Sequence, residues 1–140
     1  MRNCTIVNSA LTSTSTAYGG AYPLLAASAS ATIQNVVIAG VTNSLGAVLG
    51  PVGTGTNTMN RCGTETAAPI NATCLAGAVQ TFFRNYAAGD YRPQQALIDK
   101  GASLASYPAF DLAGKPRIQG SRIDIGAFEA PPSCFVLIIR

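Results

Sequence analysis

Between Met1 and Asn60 the sequence carries a single charged side chain, Arg2. The other eight basic residues and all six acidic ones fall between Arg61 and Arg140. A stretch so poor in charge narrows the fold. It is rich in Ala, Thr, Ser, Asn and Gly, and it shows no sustained apolar period of 3.6 with caps, so long helices are not expected. Residues 27–31 are Ala-rich, but Ser at alternate positions weakens a helix there. What recurs instead are short β-prone runs bounded by small polar residues: Thr5-Ile6-Val7, residues 21–25, residues 32–39 and residues 46–49. The third is the strongest, with Ile33, Val36, Val37 and Ile38.

Two of these runs resemble each other. Asn3-Cys4-Thr5-Ile6-Val7-Asn8 and Asn35-Val36-Val37-Ile38-Ala39-Gly40 align with their leading Asn residues 32 positions apart. A repeat of this period suggests a solenoid, in which each turn buries its inner face on the next. The composition suits one built of β-strands. Small residues turn tight corners, Asn amides can stack from coil to coil, and stacked like charges would repel. An open β-sandwich is the alternative. Residues 50–78 read as a long loop near the end of these coils, holding either short strands or a protrusion pinned by Cys62 and Cys74.

The cysteines are Cys4, Cys62, Cys74 and Cys134, with no Cys-x-x-Cys spacing to suggest a redox motif or a zinc knuckle. A bridge between Cys62 and Cys74 would close a loop worth ~3 kcal/mol and would imply an oxidising compartment. Four unpaired thiols, some buried as small apolar groups, are the alternative.

The chain has no His, which excludes Ser-His and Cys-His nucleophile pairs and His metal ligands. A net charge of +3 gives no nucleic-acid signature and steers an anionic partner weakly. No apolar stretch approaches the ~20 residues of a membrane span. The start lacks a secretory signal, which fits a mature segment or a fragment exported by a signal upstream.

From Asn85 the texture changes. Gly89-Asp90-Tyr91-Arg92, then Ile98-Asp99-Lys100-Gly101, then Asp111-Leu112-Ala113-Gly114-Lys115-Pro116-Arg117, then Asp124-Ile125-Gly126-Ala127-Phe128-Glu129 follow in order. This order resembles the C-terminal end of bacterial right-handed parallel β-helix surface proteins of the pectin-lyase-like, choice-of-anchor type. The resemblance covers roughly residues 85–129. Three features depart from it. Pro93-Gln94-Gln95 leads directly into Ala96-Leu97-Ile98. Ala113 replaces an acidic residue. Pro131-Pro132-Ser133-Cys134 and a short apolar tail replace a typical anchor.

The resemblance implies an all-β right-handed parallel β-helix, with residues 1–84 as its last coils, 85–129 as an irregular C-terminal cap and 130–140 as a tail. It implies a secreted or cell-surface setting and upstream coils in a longer chain, and brings no settled activity; polysaccharide or cell-surface glycan is the expected partner. Asp90, Asp99, Asp111, Gly114, Arg117, Asp124, Gly126 and Glu129 are the expected cap residues. Asp90, Asp99, Asp111 and Asp124 are expected to bond backbone N–H groups in turns or to pair with Arg, with Arg117 and Arg122 as partners for Asp99, Asp111 or Asp124. Calcium would want more acids close in sequence than Asp124 and Glu129 supply, so neither metal nor cofactor is expected. The acid-free residues 1–60 hold no polysaccharide-cleaving site, which needs paired carboxylates or a base with an acid. The chain is therefore expected to be a non-catalytic adhesion or glycan-contact module. The alternative is the C-terminal fragment of a polysaccharide lyase or glycoside hydrolase with its catalytic coils upstream. Tyr18, Tyr22, Tyr86, Tyr91 and Tyr107 could stack on sugars, whereas Tyr91, Phe82, Phe83 and Phe128 are expected to pack the terminal core.

Overall fold

Residues 32–39 do not form one strand, because Asn35 breaks the run with φ at 55°. Asn tolerates this left-handed conformation better than most residues. The chain therefore turns a corner between β3 (Ala31–Gln34) and β4 (Val37–Ala39). Asn3 turns the same corner at φ 50° before β1 (Thr5–Val7), and Arg61 at φ 54° between β6 (Asn57–Asn60) and β7 (Gly63–Thr64). A second kind of corner follows, at Asn8 (φ 52°) before β2 (Ala10–Leu11) and at Gly40 (φ 64°) before β5 (Thr42–Asn43).

These positions come from a computed structural model that describes residues 2–8, 10–11, 31–43, 57–65 and 74–132. The expected strands at 21–25 and 46–49, residues 27–30 of the Ala-rich run, Tyr18, Tyr22, Cys134 and the tail beyond Pro132 lie outside the described residues.

The strands pair in parallel. One sheet runs β1-β4-β7-β8, with β8 at Leu75–Ala76. Thr5 partners Val37, Val37 partners Gly63, and Gly63 partners Leu75. A second sheet pairs β3 with β6 from Ala31 opposite Asn57 and is extended by a parallel bridge between Arg2 and Gln34. A third pairs β2 with β5. Successive strands are thus offset by 32 residues and then by 26, as at Thr5, Val37 and Gly63. Three strands (β6, β7 and β8) fall within residues 50–78.

Strand alternation splits the four-stranded sheet's side chains between two cores. Val36, Ile38 and Cys62 join Ile33, Val41 and Met59 on one side, with Cys4, Ile6 and Cys74 packed against them. Val37 and Ala39 point to the other side, where Val79, Phe82, Phe83, Leu97 and Ile125 cover them. These covering residues belong to the C-terminal segment. It starts with a single helical turn, α1 (Val79–Phe82), then an antiparallel pair, β9 (Phe83–Asn85) and β10 (Asp90–Pro93), joined by a 3-10 turn at Tyr86–Ala88. Beyond Pro93 the described residues hold no regular strand, only an isolated bridge between Phe110 and Pro116.

The segment lies along the face of the sheet. Leu97 and Phe82 sit over Gly63, where an added Cβ would come within 3.1 Å of Leu97 Cδ2. Gly126, at φ 117°, fits against Thr5 and Val37, a conformation and a clearance that only glycine meets easily. Tyr86 donates to Asn8 Oδ1, and Asn8 Nδ2 donates to the Tyr91 hydroxyl at 2.7 Å. The segment thereby touches β1, β4 and β7, three neighbouring strands of one sheet, at once.

Candidate functional site

The irregular part of the segment has no ladder to satisfy its backbone, so acidic side chains do that work. Asp99 N–H donates to Asp124 Oδ1 at 2.7 Å, and Ala130 N–H to Asp124 Oδ2 at 2.7 Å. Asp124 N–H donates to Glu129 Oε2 at 3.1 Å. Glu129 N–H in turn donates to Asp111 Oδ2 at 2.8 Å. Asp111 Oδ1 accepts from Ala113 and Lys115, closing a turn in which Gly114 takes φ 74°. Asp99 Oδ1 accepts from Arg122 N–H at 2.8 Å. Asp99, Asp124, Glu129 and Asp111 thus form a relay, each carboxylate receiving the backbone of another part of the segment.

Arg117 sits inside this relay at 2% exposure. Its Nε lies 3.2 Å from Glu129 Oε1, an ion-pair distance without hydrogen-bond alignment, and its Nη2 donates to Gly126 O. Burial, and then the Asp124 carboxylate alongside, push Glu129 up to about 8, with Arg117 offsetting only part. Burial also raises Asp124, against the pull of the Ala130 and Asp99 amides. The sequence brings seven of its eight expected cap residues to this region. Asp90 stands apart on the exposed hairpin, where Arg92 Nε donates to it at 2.7 Å and holds its carboxyl near 2. Arg117 pairs with Glu129 rather than with the expected Asp99, Asp111 or Asp124, and Arg122 reaches Asp99 through its backbone N–H.

The relay's carboxylates are spent on backbone donors, so its chemistry fixes the path of the chain. An open surface lies beside it. A groove of about 430 Å³ runs between β1, at Asn3, Cys4 and Thr5, and the segment at Pro108, Phe110 and Leu112. Phe110 is 61% exposed and Leu112 73%. Of the sequence's sugar-stacking candidates, Tyr107 is exposed, whereas Tyr86 and Tyr91 pack with Phe83 at centroid distances of 5.9 and 5.5 Å.

Three contributors go beyond the sequence reading, which foresaw amide stacking of Asn35 on Asn3 but not the bonds to Ala102, Thr5 or Glu65. Asn35 donates to Asn3 Oδ1 at 3.1 Å and to Ala102 O at 3.1 Å, and accepts from Ala102 N–H at 2.6 Å. Thr5 Oγ1 accepts from Ala127 N–H at 3.0 Å. Glu65 accepts from Gly40 N–H. The aligned Asn residues were a signal for the first; the other two join residues too far apart in sequence to be paired from it.

The described cysteines, Cys4, Cys62 and Cys74, are free thiols. The candidate bridge between Cys62 and Cys74 is unformed here, and the Cys62 thiol lies within reach of Ile33 O at 3.7 Å and Asn60 O at 3.6 Å. Among the described residues no group of three His, Cys, Asp or Glu side chains is placed to hold a metal ion, and no helix is long and apolar enough to cross a membrane. The chain matches no family model, no curated protein and no solved structure.

Proposed function

We propose that this chain is the C-terminal part of a secreted or surface-displayed right-handed parallel β-helix, acting as a non-catalytic module that contacts glycans. The observation that carries the reading is the in-register parallel pairing at offsets of 32 and 26 residues, with a left-handed residue at the same corner each time. Strands that short bury too little alone, and stacking lets each lean on the next. Asn3 Nδ2 is buried without an acceptor, at the position where the Asn of a further coil would extend the amide column. In this reading residues 85–129 close the module, doing so along a sheet face.

The groove beside β1 supports contact with a ligand. Phe110 and Leu112 are large apolar side chains held in water, and exposed apolar patches with polar rims mark binding surfaces. The apolar faces of sugar rings suit such a surface. The test is retention of the chain on immobilised acidic and neutral polysaccharides, with release of unsaturated sugars followed in parallel. Retention without sugar release, weakened several-fold in Phe110→Ala, is expected. Release of unsaturated sugars, or no retention on any polysaccharide, overturns the reading.

A further inference from the structure

The register of β7 and β8 does more than hold two short strands together. Gly63 partners Leu75, so the residues just before them, Cys62 and Cys74, stand side by side on neighbouring strands. Leu75 N–H donates to Cys62 O at 2.7 Å, locking that alignment. Neighbouring strands lie about 4.8 Å apart, inside the roughly 4.4–6.8 Å of Cα separation that a disulfide spans. Both side chains face the same core, Cys74 packing against the cluster that buries Cys62. Cys4 shares the column, but Val36 stands between it and Cys62, since Val37 pairs with Thr5 and Gly63 with Val37. That places Cys4 about two strand spacings away, beyond disulfide reach.

The two thiols are unlike. Cys62 is fully buried, against Ile33 O at 3.7 Å and Asn60 O at 3.6 Å. Cys74 is half-buried and so reachable from solvent.

We propose that Cys62 and Cys74 form a redox-active pair that reacts with small aliphatic disulfides, Cys74 attacking and Cys62 resolving. The Cys74 thiolate attacks one sulfur of the disulfide. Its S–S bond breaks, one thiolate leaves with the electron pair and takes a proton from solvent, and a mixed disulfide remains on Cys74. Cys62 then gives its proton to solvent and attacks the Cys74 sulfur, expelling the second thiolate, which is protonated in turn. Two protein thiols are oxidised to one disulfide and one small disulfide is reduced to two thiols. Exposure favours this order of events, because solvent reaches Cys74 and not Cys62, and the Cys62 thiol alongside pulls the Cys74 thiol down to about 6 while Cys74 and then burial hold the Cys62 thiol up. The product is a covalent staple between β7 and β8.

The experiment incubates the folded chain with oxidised glutathione and maps the products by mass spectrometry. Residues 62–84 form one tryptic peptide holding both cysteines. Conversion of that peptide to a species two hydrogens lighter, refusing alkylation until reduced, is expected. Cys74→Ser should abolish both the adduct and the link, and Cys62→Ser should stall with glutathione on Cys74. The stall also reads out in wild type, as a transient mixed disulfide at early times. A link through Cys4 or Cys134, a persistent mixed disulfide on wild-type Cys74, or unchanged alkylation of residues 62–84 overturns the proposal.

Discussion

Asn35 and Asp111 show how much one polar side chain can hold here. Asn35 is fully buried, turns a corner at φ 55° and makes three hydrogen bonds to Asn3 and Ala102. Replacing it with Ala removes those partners and leaves a Cβ-bearing residue in a strained conformation, at a cost of about 2–4 kcal/mol by urea unfolding. Asn35→Gly relieves the strain alone and should cost less than Asn35→Ala. Asp111→Ala strips the acceptor from the Glu129 amide and from the turn at Ala113 and Lys115, costing about 2–4 kcal/mol. Residue by residue, legibility followed sequence distance. The match of Asn3 with Asn35 was visible because the same residue type recurs before similar strands. Arg61 was not, since nothing about an arginine announces a left-handed corner. The turn around Asp111 and Gly114 was local and legible. The relay from Asp99 through Asp124 and Glu129 joins positions that only the folded chain brings together.

At the level of elements, the short strands of residues 57–64 hid because each turns few large side chains inward; in β6 Met59 alone is both apolar and fully buried. A continuous β-prone run concealed the break at Asn35 for the opposite reason: both halves favour strand, and only the side-chain amide chooses the corner. The cover over the four-stranded sheet rests heavily on α1, whose Phe82 is 1% exposed. Phe82→Ala should cost about 3–5 kcal/mol, with hydrogen exchange accelerating at Gly63 and Leu75 beneath it. The carboxylate relay adds a pH dependence. Glu129 rises from 4.5 to about 8 on folding, so the folded state prefers it protonated. Its ionisation therefore opposes folding, and the contribution worsens as pH rises from 4.5 to about 8 and then levels off. Asp124, also raised, acts in the same direction. Thermal midpoints should fall across that range, and Glu129→Gln should flatten the fall. The comparison belongs in a Cys74→Ser background, because the thiol pair titrates over part of the same range with Cys74 acting in the opposite direction.

For the molecule as a whole, the two unequal halves of the sequence divide the work. The charge-poor part supplies most of the described parallel strands, and the charged part supplies β7, β8 and the polar bonds that an irregular segment needs. Deleting residues 111–129 removes Ile125 and Gly126 from the sheet face and uncovers Val37 beneath them. Light scattering should then report aggregates or oligomers; a soluble monomer would show that the face tolerates water. The segment's route across the sheet carries a consequence for how the protein comes apart. Stacked coils ordinarily couple only to their neighbours and can fray from one end. Here one stretch of chain grips Thr5 through Ala127, Asn35 through Ala102 and Gly126, and the Gly63 face through Leu97. Peeling any one of these strands means releasing the strap that binds the others, so melting strand by strand gives way to a single cooperative collapse.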